Sequence, residues 1–188
     1  MERKKTPMWC NCLLIITFMT LVSYLWKDFC NNWYFNGAHC FFLENRVHDI
    51  INVTSCVFWE EAIFRFLPFL TATILILQIK QKWLKHIMYI VFCIIIICIQ
   101  LQFGALHYNI ITDTSYKRPI IIHGVQGLIL MATYAITLLA TLDTKKETEN
   151  QKRNNNIKQV LIANFIAYLN SVAVHAASNM LLVLTQTF

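Results

Sequence analysis

The fold is decided by the apolar stretch from Trp83 to His107, which has four consecutive isoleucines, Ile94 to Ile97, at its centre. This stretch exceeds the roughly 20 residues that an α-helix needs to cross the hydrocarbon core of a bilayer. Inside lipid, a helix can make its backbone hydrogen bonds within its own segment. We therefore predict a membrane-spanning helix here.

Four further apolar stretches of similar length lie on either side of the first. They are Met8 to Trp26, Cys56 to Ile79, Pro119 to Leu142 and Ile157 to Phe188. The chain is 57% hydrophobic and 14% charged, whereas soluble domains are about 45–50% apolar and about 25% charged. These values exclude a soluble, disordered or collagen-like chain. They predict an all-α, polytopic membrane helix bundle with about five transmembrane helices.

The chain is expected to form a single membrane domain over residues 1–188. Its first part, residues 1–55, would contain one helix and an interfacial loop rich in aromatic residues. The rest, residues 56–188, would form the core of the bundle. The one strongly polar stretch, from Asp143 to Lys158, is predicted to be a mobile loop between the last two helices.

The distribution of basic residues predicts the orientation of the bundle. Eleven of the sixteen lysines and arginines fall on the side that holds the N-terminus, and four, including Lys27, fall on the other side. Because cytoplasmic loops carry an excess of positive charge, the N-terminus is predicted to be cytoplasmic. The net charge of +6 is thereby explained by topology, and no nucleic-acid partner is expected.

Several ionisable residues lie within the apolar stretches, where each charge costs roughly 2.5–3.5 kcal/mol on insertion scales. They are Glu60, Glu61 and Arg65 in the second stretch, His107 in the third, His123 in the fourth and His175 in the fifth. Such residues are candidates for function because a membrane segment without a function would avoid them. We interpret His123 as an interfacial residue without a function.

Helix geometry separates the two adjacent acids. Glu61 and Arg65 are four residues apart and therefore share a helix face, on which they can form an ion pair. Glu60 points about 100° away from Glu61, so it stays outside that pair. A carboxyl group in this position can serve as a general base or acid.

Depth in the bilayer brings the candidates together. Glu60 lies near the outer start of its helix, and His107 lies at the outer end of the next one. His175 lies past the midplane of the fifth helix and shares a face with Asn179, four residues later. One acid, two histidines and an amide are therefore predicted to converge on a single pocket in the outer half of the membrane.

Three short motifs resemble those of the CPBP family, which comprises CAAX proteases and bacteriocin-processing enzymes. EEAIFR at Glu60 to Arg65 is similar to its EExxxR motif, FGALH at Phe103 to His107 to FxxxH, and HAASN at His175 to Asn179 to HxxxN. The order and wide spacing of the motifs agree as well, over about residues 55 to 185. The resemblance implies a membrane-embedded endopeptidase, of the type II CAAX prenyl endopeptidase kind.

The resemblance also implies a role for each motif residue. Glu60 would activate the attacking water, and His107 would hold that water and carry protons. His175 and Asn179 would stabilise the oxyanion of the tetrahedral intermediate. Structural support would come from Glu61, Arg65 and Phe103.

A divalent metal such as zinc is the open cofactor question. Glu60, His107 and His175 form a His₂Glu set, which can hold zinc with one position left for water. The sequence contains no HExxH, so no two ligands would come from one helix turn. We expect no obligatory cofactor.

Two other function classes remain open. One is a non-catalytic relative that binds a peptide, such as an immunity protein. The other is a small transporter of protons or metal ions that uses the same acid and histidines as a relay. The expected partners are a peptide or protein substrate at the membrane and the lipid bilayer itself.

Overall fold

The computed structural model describes residues 8–30, 56–107, 117, 120–143 and 152–185. Every regular element within these residues is helical, which confirms the predicted all-α class. The predicted interfacial loop, the N-terminal basic residues and the connection before Pro119 lie outside the described residues.

Five helices make up the described part of the chain. Helix α1 is Met8–Phe29, α3 is Lys82–Leu106 and α5 is Lys152–Thr185. Helix α2 covers residues 56–78 and contains the π-helical turn Ala62–Phe66 followed by the α-helix Leu67–Gln78. Helix α4 opens with a second π-helical turn, Ile120–Gly124, and continues as the α-helix Val125–Asp143. The extended residues Ile79 and Gln81 close α2 and precede α3, so these two helices are joined by a tight connection.

Within the described residues, four helical segments are long and apolar enough to cross a membrane: Met8–Phe29, Lys82–Leu106, Ile120–Leu142 and Ile157–Leu182. Their outward faces carry large apolar side chains, among them Leu14 at 68% exposure and Ile90 at 63%. Apolar surface on this scale is tolerated by a chain surrounded by lipid and not by water. The chain is therefore a membrane protein.

Helix α5 packs against α1, α2 and α4. One core cluster joins it to α4 through Tyr134, Leu138, Ala163 and Ala167. A second cluster, Met19, Leu130 and Val174, joins α1, α4 and α5. Between α4 and α5, the Tyr134 hydroxyl donates to the Asn164 side-chain oxygen at 3.0 Å, which satisfies a polar group that lipid would leave unpaired.

Helices α3 and α4 approach each other closely at two glycines. A Cβ atom on Gly104 would lie 2.6 Å from the backbone nitrogen of Gly124 and 3.0 Å from the Cα of Ile120. Such distances are too short for any side chain, so glycine is required at position 104. This contact places the end of α3 directly beside the first turn of α4.

Two predictions about polar residues are corrected. Lys27 was expected in a loop, but it lies in the last turn of α1 and is buried, with 6% exposure. The predicted loop from Asp143 to Lys158 is also wrong in part, because α5 begins at Lys152. Lysine, arginine and glutamine are good helix formers, and they extend the apolar helix beyond its hydrophobic part.

Candidate active site

All five helices contribute to a polar cluster at one end of the bundle. Because successive helices run in opposite directions, this end holds the end of α1, the start of α2, the end of α3, the start of α4 and the second half of α5. The residues that meet there are Lys27, Glu60, Glu61, Arg65, Phe103, His107, His123, Ser171, His175 and Asn179. The predicted convergence of Glu60, His107 and His175 is therefore present.

Glu61 forms the closed half of this cluster. Its Oε1 atom accepts a hydrogen bond from Arg65 Nη1 at 2.7 Å and contacts His175 Nδ1 at 2.8 Å. Its Oε2 atom accepts a hydrogen bond from the Ser171 hydroxyl. Each oxygen of the Glu61 carboxylate therefore has a partner. Both side chains of the Glu61–Arg65 pair are fully buried. The predicted ion pair is present within α2, and the contacts of Glu61 with Ser171 and His175 tie α2 to α5.

Arg65 is also held on the face opposite its carboxylate. Its guanidinium carbon lies 4.4 Å from the centre of the Phe103 ring, which is a cation–π distance. A Cβ atom on Gly127 would lie 3.2 Å from both Arg65 Nη2 and Phe103 Cδ1. The bare glycine on α4 therefore leaves the space that the arginine and the ring occupy. Phe103 supports the site through this packing.

Glu60 forms the open half of the cluster. Its side chain is 30% exposed, and its two oxygens face two different histidines. Oε1 lies 4.0 Å from His107 Nε2, and Oε2 lies 3.9 Å from His175 Nε2. These distances exceed a direct hydrogen bond and match a gap that one water molecule bridges. Glu60 is thus surrounded by polar atoms without being closed off by them.

The ring of His107 has a defined proton position. Its Nδ1 atom lies 2.8 Å from the carbonyl oxygen of Phe103, and a carbonyl only accepts, so Nδ1 carries the hydrogen. Burial lowers the pKa of His107, which follows the last residue of α3, below its ordinary value of 6.5. The hydrogen bond to Phe103 opposes this shift, and the charges of Lys27 and Arg65 add to it. The neutral ring therefore offers the lone pair of Nε2 towards Glu60.

His123 lies against His107, contrary to the prediction that it has no part in the site. The two rings are stacked, with centroids 4.2 Å apart and planes 17° apart. On its other side, His107 meets the edge of Phe103 at 4.5 Å. His107 is therefore held between two rings, which fixes the direction of its Nε2 atom.

His175 also has a defined proton position. Its Nδ1 atom donates to the carboxylate of Glu61, which is ionised by its pairing with Arg65. In the neutral ring, Nε2 then carries a lone pair and faces Glu60. The oxyanion role that the resemblance implies for His175 needs a hydrogen on Nε2. The observed hydrogen bonding instead fits a proton acceptor oriented by a buried acid, an arrangement used in catalytic triads.

Two π-helical turns border the site, and each has a carbonyl group bound by a side chain from another helix. Gln100 Nε2 donates to the Phe64 carbonyl at 2.9 Å, and Trp26 Nε1 donates to the Ile122 carbonyl at 3.0 Å. π-helical turns are rare and frequently occur at functional sites. Here the first follows the acid pair directly, and the second contains His123. These hydrogen bonds provide partners that lipid cannot supply.

Asn179 contacts a residue that sequence reasoning did not include. Its Oδ1 atom accepts a hydrogen bond from the Lys27 ammonium group. Because one end of the amide is engaged as an acceptor, the Nδ2 group is the end that remains as a donor to other groups. Lys27 thereby brings α1 into the site.

The candidate zinc ligands Glu60, His107 and His175 lie close together, but they are farther apart than the ligands of a formed zinc site. Within the described ranges, no group of three or more His, Cys, Asp or Glu residues is arranged to hold a metal ion. Two ligand atoms of one tetrahedral zinc are about 3.3 Å apart, whereas the Glu60 oxygens lie 3.9 and 4.0 Å from the histidine nitrogens. Metal independence itself stays a prediction.

The sequence prediction missed three residues of the cluster, Lys27, His123 and Ser171, and also Gln100, which binds the first π-helical turn beside it. Only Lys27 and His123 carried a usable signal, which is an ionisable side chain beside an apolar stretch. Serine and glutamine are common in membrane helices as polar contacts between helices. Their positions against Glu61 and the first π-helical turn depend on how the helices are rotated, which a single sequence does not give.

The chain was compared with protein-family models, curated proteins and solved structures. No protein-family model, no curated protein and no solved structure matches the chain. The function is therefore inferred from the three motifs and from the geometry of the cluster.

Proposed function

We propose that the chain is an intramembrane endopeptidase that hydrolyses a peptide bond with a water molecule activated by Glu60. One observation carries this proposal. The Glu60 carboxylate lies about one water molecule away from His107 Nε2 and His175 Nε2, while the adjacent Glu61 is fully engaged in holding the helices together. The three motifs that resemble the CPBP family lie at this same place.

The first step is the attack on the peptide bond. A water between Glu60 and His107 donates one hydrogen bond to the carboxylate and one to Nε2 of the neutral ring. Glu60 takes the proton, and the oxygen of the water forms a bond to the carbonyl carbon of the peptide. The carbonyl oxygen becomes an oxyanion, which needs hydrogen-bond donors at the site. The Asn179 amide group is the motif residue that can donate there.

The second step is the breaking of the C–N bond. The oxyanion collapses to a carbonyl, the C–N electron pair moves to nitrogen, and the leaving amine must gain a proton. His175 Nε2 lies 3.9 Å from Glu60 Oε2 and is placed to take the proton from Glu60 and pass it to the amine. The imidazolium formed in transit is stabilised by Glu61 at 2.8 Å. The products are two shorter peptides.

The proposed topology places this site in the outer half of the membrane. Helical residues 56–78 extend over about 34 Å, which is enough for a fifth pass beside the four long apolar segments. With Lys27 buried in the bundle, the basic residues are distributed eleven to three in favour of a cytoplasmic N-terminus. The substrate is a peptide or protein segment that reaches the membrane, as in CAAX-type or leader-peptide processing.

The test is peptidase activity of the purified chain in detergent on a library of peptides, for the wild type and for Glu60→Gln. We expect cleavage by the wild type and a decrease of at least about 10²-fold in Glu60→Gln, because loss of a general base costs about 10²–10⁴-fold. A parallel reaction with a chelator determines whether a metal takes part. Cleavage that is unaffected by Glu60→Gln contradicts the proposal.

A folded but inactive wild type favours another reading. If the wild type and Glu60→Gln bind the same peptides without cleaving them, the chain is a peptide-binding protein. Thermal unfolding of both proteins in the same detergent shows whether each is folded, so inactivity is not confused with loss of structure.

A further inference from the structure

Among the described residues, Lys27 is the member of the polar cluster that α1 contributes. It is 6% exposed, and its ammonium group donates to the Oδ1 atom of Asn179, 152 residues later in the chain. Its charge lies close enough to act electrostatically on Glu60, His107 and His175. A buried lysine in a membrane helix is costly, so its position requires a reason within the site.

The hydrogen bond to Lys27 determines the orientation of the Asn179 amide. An ammonium group has only hydrogens to offer, so the atom of Asn179 that faces it must be the oxygen. The Nδ2 group is then directed away from Lys27. A mobile asparagine would present its oxygen and its nitrogen with similar ease, and only the nitrogen helps an oxyanion.

The two histidines of the site do not supply this donor. His107 uses its Nδ1 hydrogen on the Phe103 carbonyl, and His175 uses its Nδ1 hydrogen on Glu61. In the neutral rings, both Nε2 atoms are acceptors. The negative charge of a tetrahedral intermediate therefore needs donors and positive charge from elsewhere in the cluster.

We propose that Lys27 is a positioning residue for oxyanion stabilisation: it holds the Asn179 amide with Nδ2 as the donor and places a positive charge beside it. This inference rests on the proposed endopeptidase function. A fixed donor and a fixed charge cost no reorganisation when negative charge develops, which makes them effective in a site shielded from water. The site would be incomplete without α1.

The test measures kcat and KM for Lys27→Met and Lys27→Arg in detergent. Methionine keeps an unbranched apolar chain and removes the charge, whereas arginine keeps both charge and donors. We expect Lys27→Met to lower kcat by about 10²-fold, as for loss of one oxyanion donor, with KM changed by less than about twofold. Lys27→Arg should retain more of the wild-type kcat than Lys27→Met. The matched control is Lys82→Met, which changes an exposed lysine at the opposite end of the bundle. Its kcat and KM should equal those of the wild type.

Inhibitor binding distinguishes this role from a merely structural one. A phosphinic peptide carries the tetrahedral anionic centre of the intermediate, whereas the corresponding uncleavable hydroxyethylene peptide carries a neutral tetrahedral centre. Lys27→Met should weaken the phosphinic peptide about 10²-fold more than the neutral one, whereas a structural role would weaken both equally. Because the lysine acts through Asn179, the effects of Lys27→Met and Asn179→Ala on kcat should be less than additive.

The outcomes separate this inference from the proposed function. An active wild type with an inactive Glu60→Gln and an unchanged kcat in Lys27→Met overturns the role of Lys27 alone. Equal weakening of both inhibitors also overturns it. A wild type that cleaves no peptide overturns the endopeptidase proposal, and the role of Lys27 with it.

Discussion

Two adjacent acids, Glu60 and Glu61, have opposite surroundings in the two halves of the polar cluster. In the closed half, Glu61 has no exposed surface and binds Arg65, Ser171 and His175. In the open half, Glu60 is 30% exposed, and its oxygens lie about 4 Å from His107 and His175. One helix start therefore holds an acid that is fully used by the fold and an acid that is left accessible.

This difference arises because neighbouring residues of a helix point in directions about 100° apart around its axis. The side chain of Glu61 points to α5, where Ser171 and His175 can reach it, and the side chain of Glu60 points to the gap between α3 and α5. His175 belongs to both halves, with Nδ1 on Glu61 and Nε2 towards Glu60. The closed half thereby orients a residue that the open half uses.

The largest expected effect comes from breaking the closed half with Arg65→Met. This change leaves the buried carboxylate of Glu61 without its charged partner, and loss of one member of a buried pair costs roughly 3–5 kcal/mol. We expect a much lower Tm in detergent by circular dichroism. Lys82→Met, which removes an exposed charge, should leave Tm unchanged. A Tm of Arg65→Met equal to that of the wild type would mean that the closed half is not a structural element.

The next effect tests the contact that places the open half. Gly104→Ala puts a Cβ atom 2.6 Å from the backbone of Gly124, and overpacking of this kind costs typically about 1–3 kcal/mol. Helix α3 must then move away from α4, and His107 moves with it. Gly124→Ala is the matched control, since its Cβ would meet its neighbours at 3.7–3.8 Å. Equal unfolding curves for the two variants would show that the close approach is not needed.

A smaller effect is expected from Gln100→Leu, which changes a residue that binds the π-helical turn next to the two acids. The change removes the hydrogen bond to the Phe64 carbonyl in the first π-helical turn. An unsatisfied buried group costs about 1–3 kcal/mol, so Tm should fall by less than in Arg65→Met. Hydrogen exchange should increase at the amides of Ala62–Phe66 more than in α5. Unchanged exchange there would contradict a stabilising role for Gln100.

The smallest effect concerns the protonation of His107 in the open half. Burial lowers its pKa below 6.5, and the charge of Lys27 contributes to the shift. An NMR titration, with the signal assigned through His107→Gln, should give a value below 6.5 that rises in Lys27→Met. Because protonation removes the Nε2 acceptor, activity should fall as the pH drops through this pKa. A titration at or above 6.5 would contradict the neutral ring assumed in the mechanism.

Much of the fold was predictable because the length and apolar composition of a stretch are enough to indicate a membrane helix. The stretch around Ile94 to Ile97 is part of a helix that can cross a membrane, as predicted. The separation of Glu60 from the Glu61–Arg65 ion pair was predictable too, since one residue of helix rotation separates the directions of the two acids. Both results depend on spacing along a single helix.

The missed features depend on contacts between helices. The burial of Lys27 against Asn179 and the stacking of His107 on His123 require the relative rotation of α1, α3, α4 and α5. The two π-helical turns are another case, because their carbonyls are satisfied by Gln100 and Trp26 from distant parts of the chain. No periodicity in one sequence specifies such pairs.

We infer that Glu61 serves the fold and that Glu60 serves the proposed chemistry. Measuring Tm and peptidase activity in parallel for Glu60→Gln and Glu61→Gln separates these two roles. We expect Glu60→Gln to keep the wild-type Tm and to lose activity by at least about 10²-fold. We expect Glu61→Gln to lower Tm by more than Glu60→Gln does. An active Glu60→Gln, or a Glu61→Gln that is as stable as the wild type, would show that the two acids do not have these separate roles.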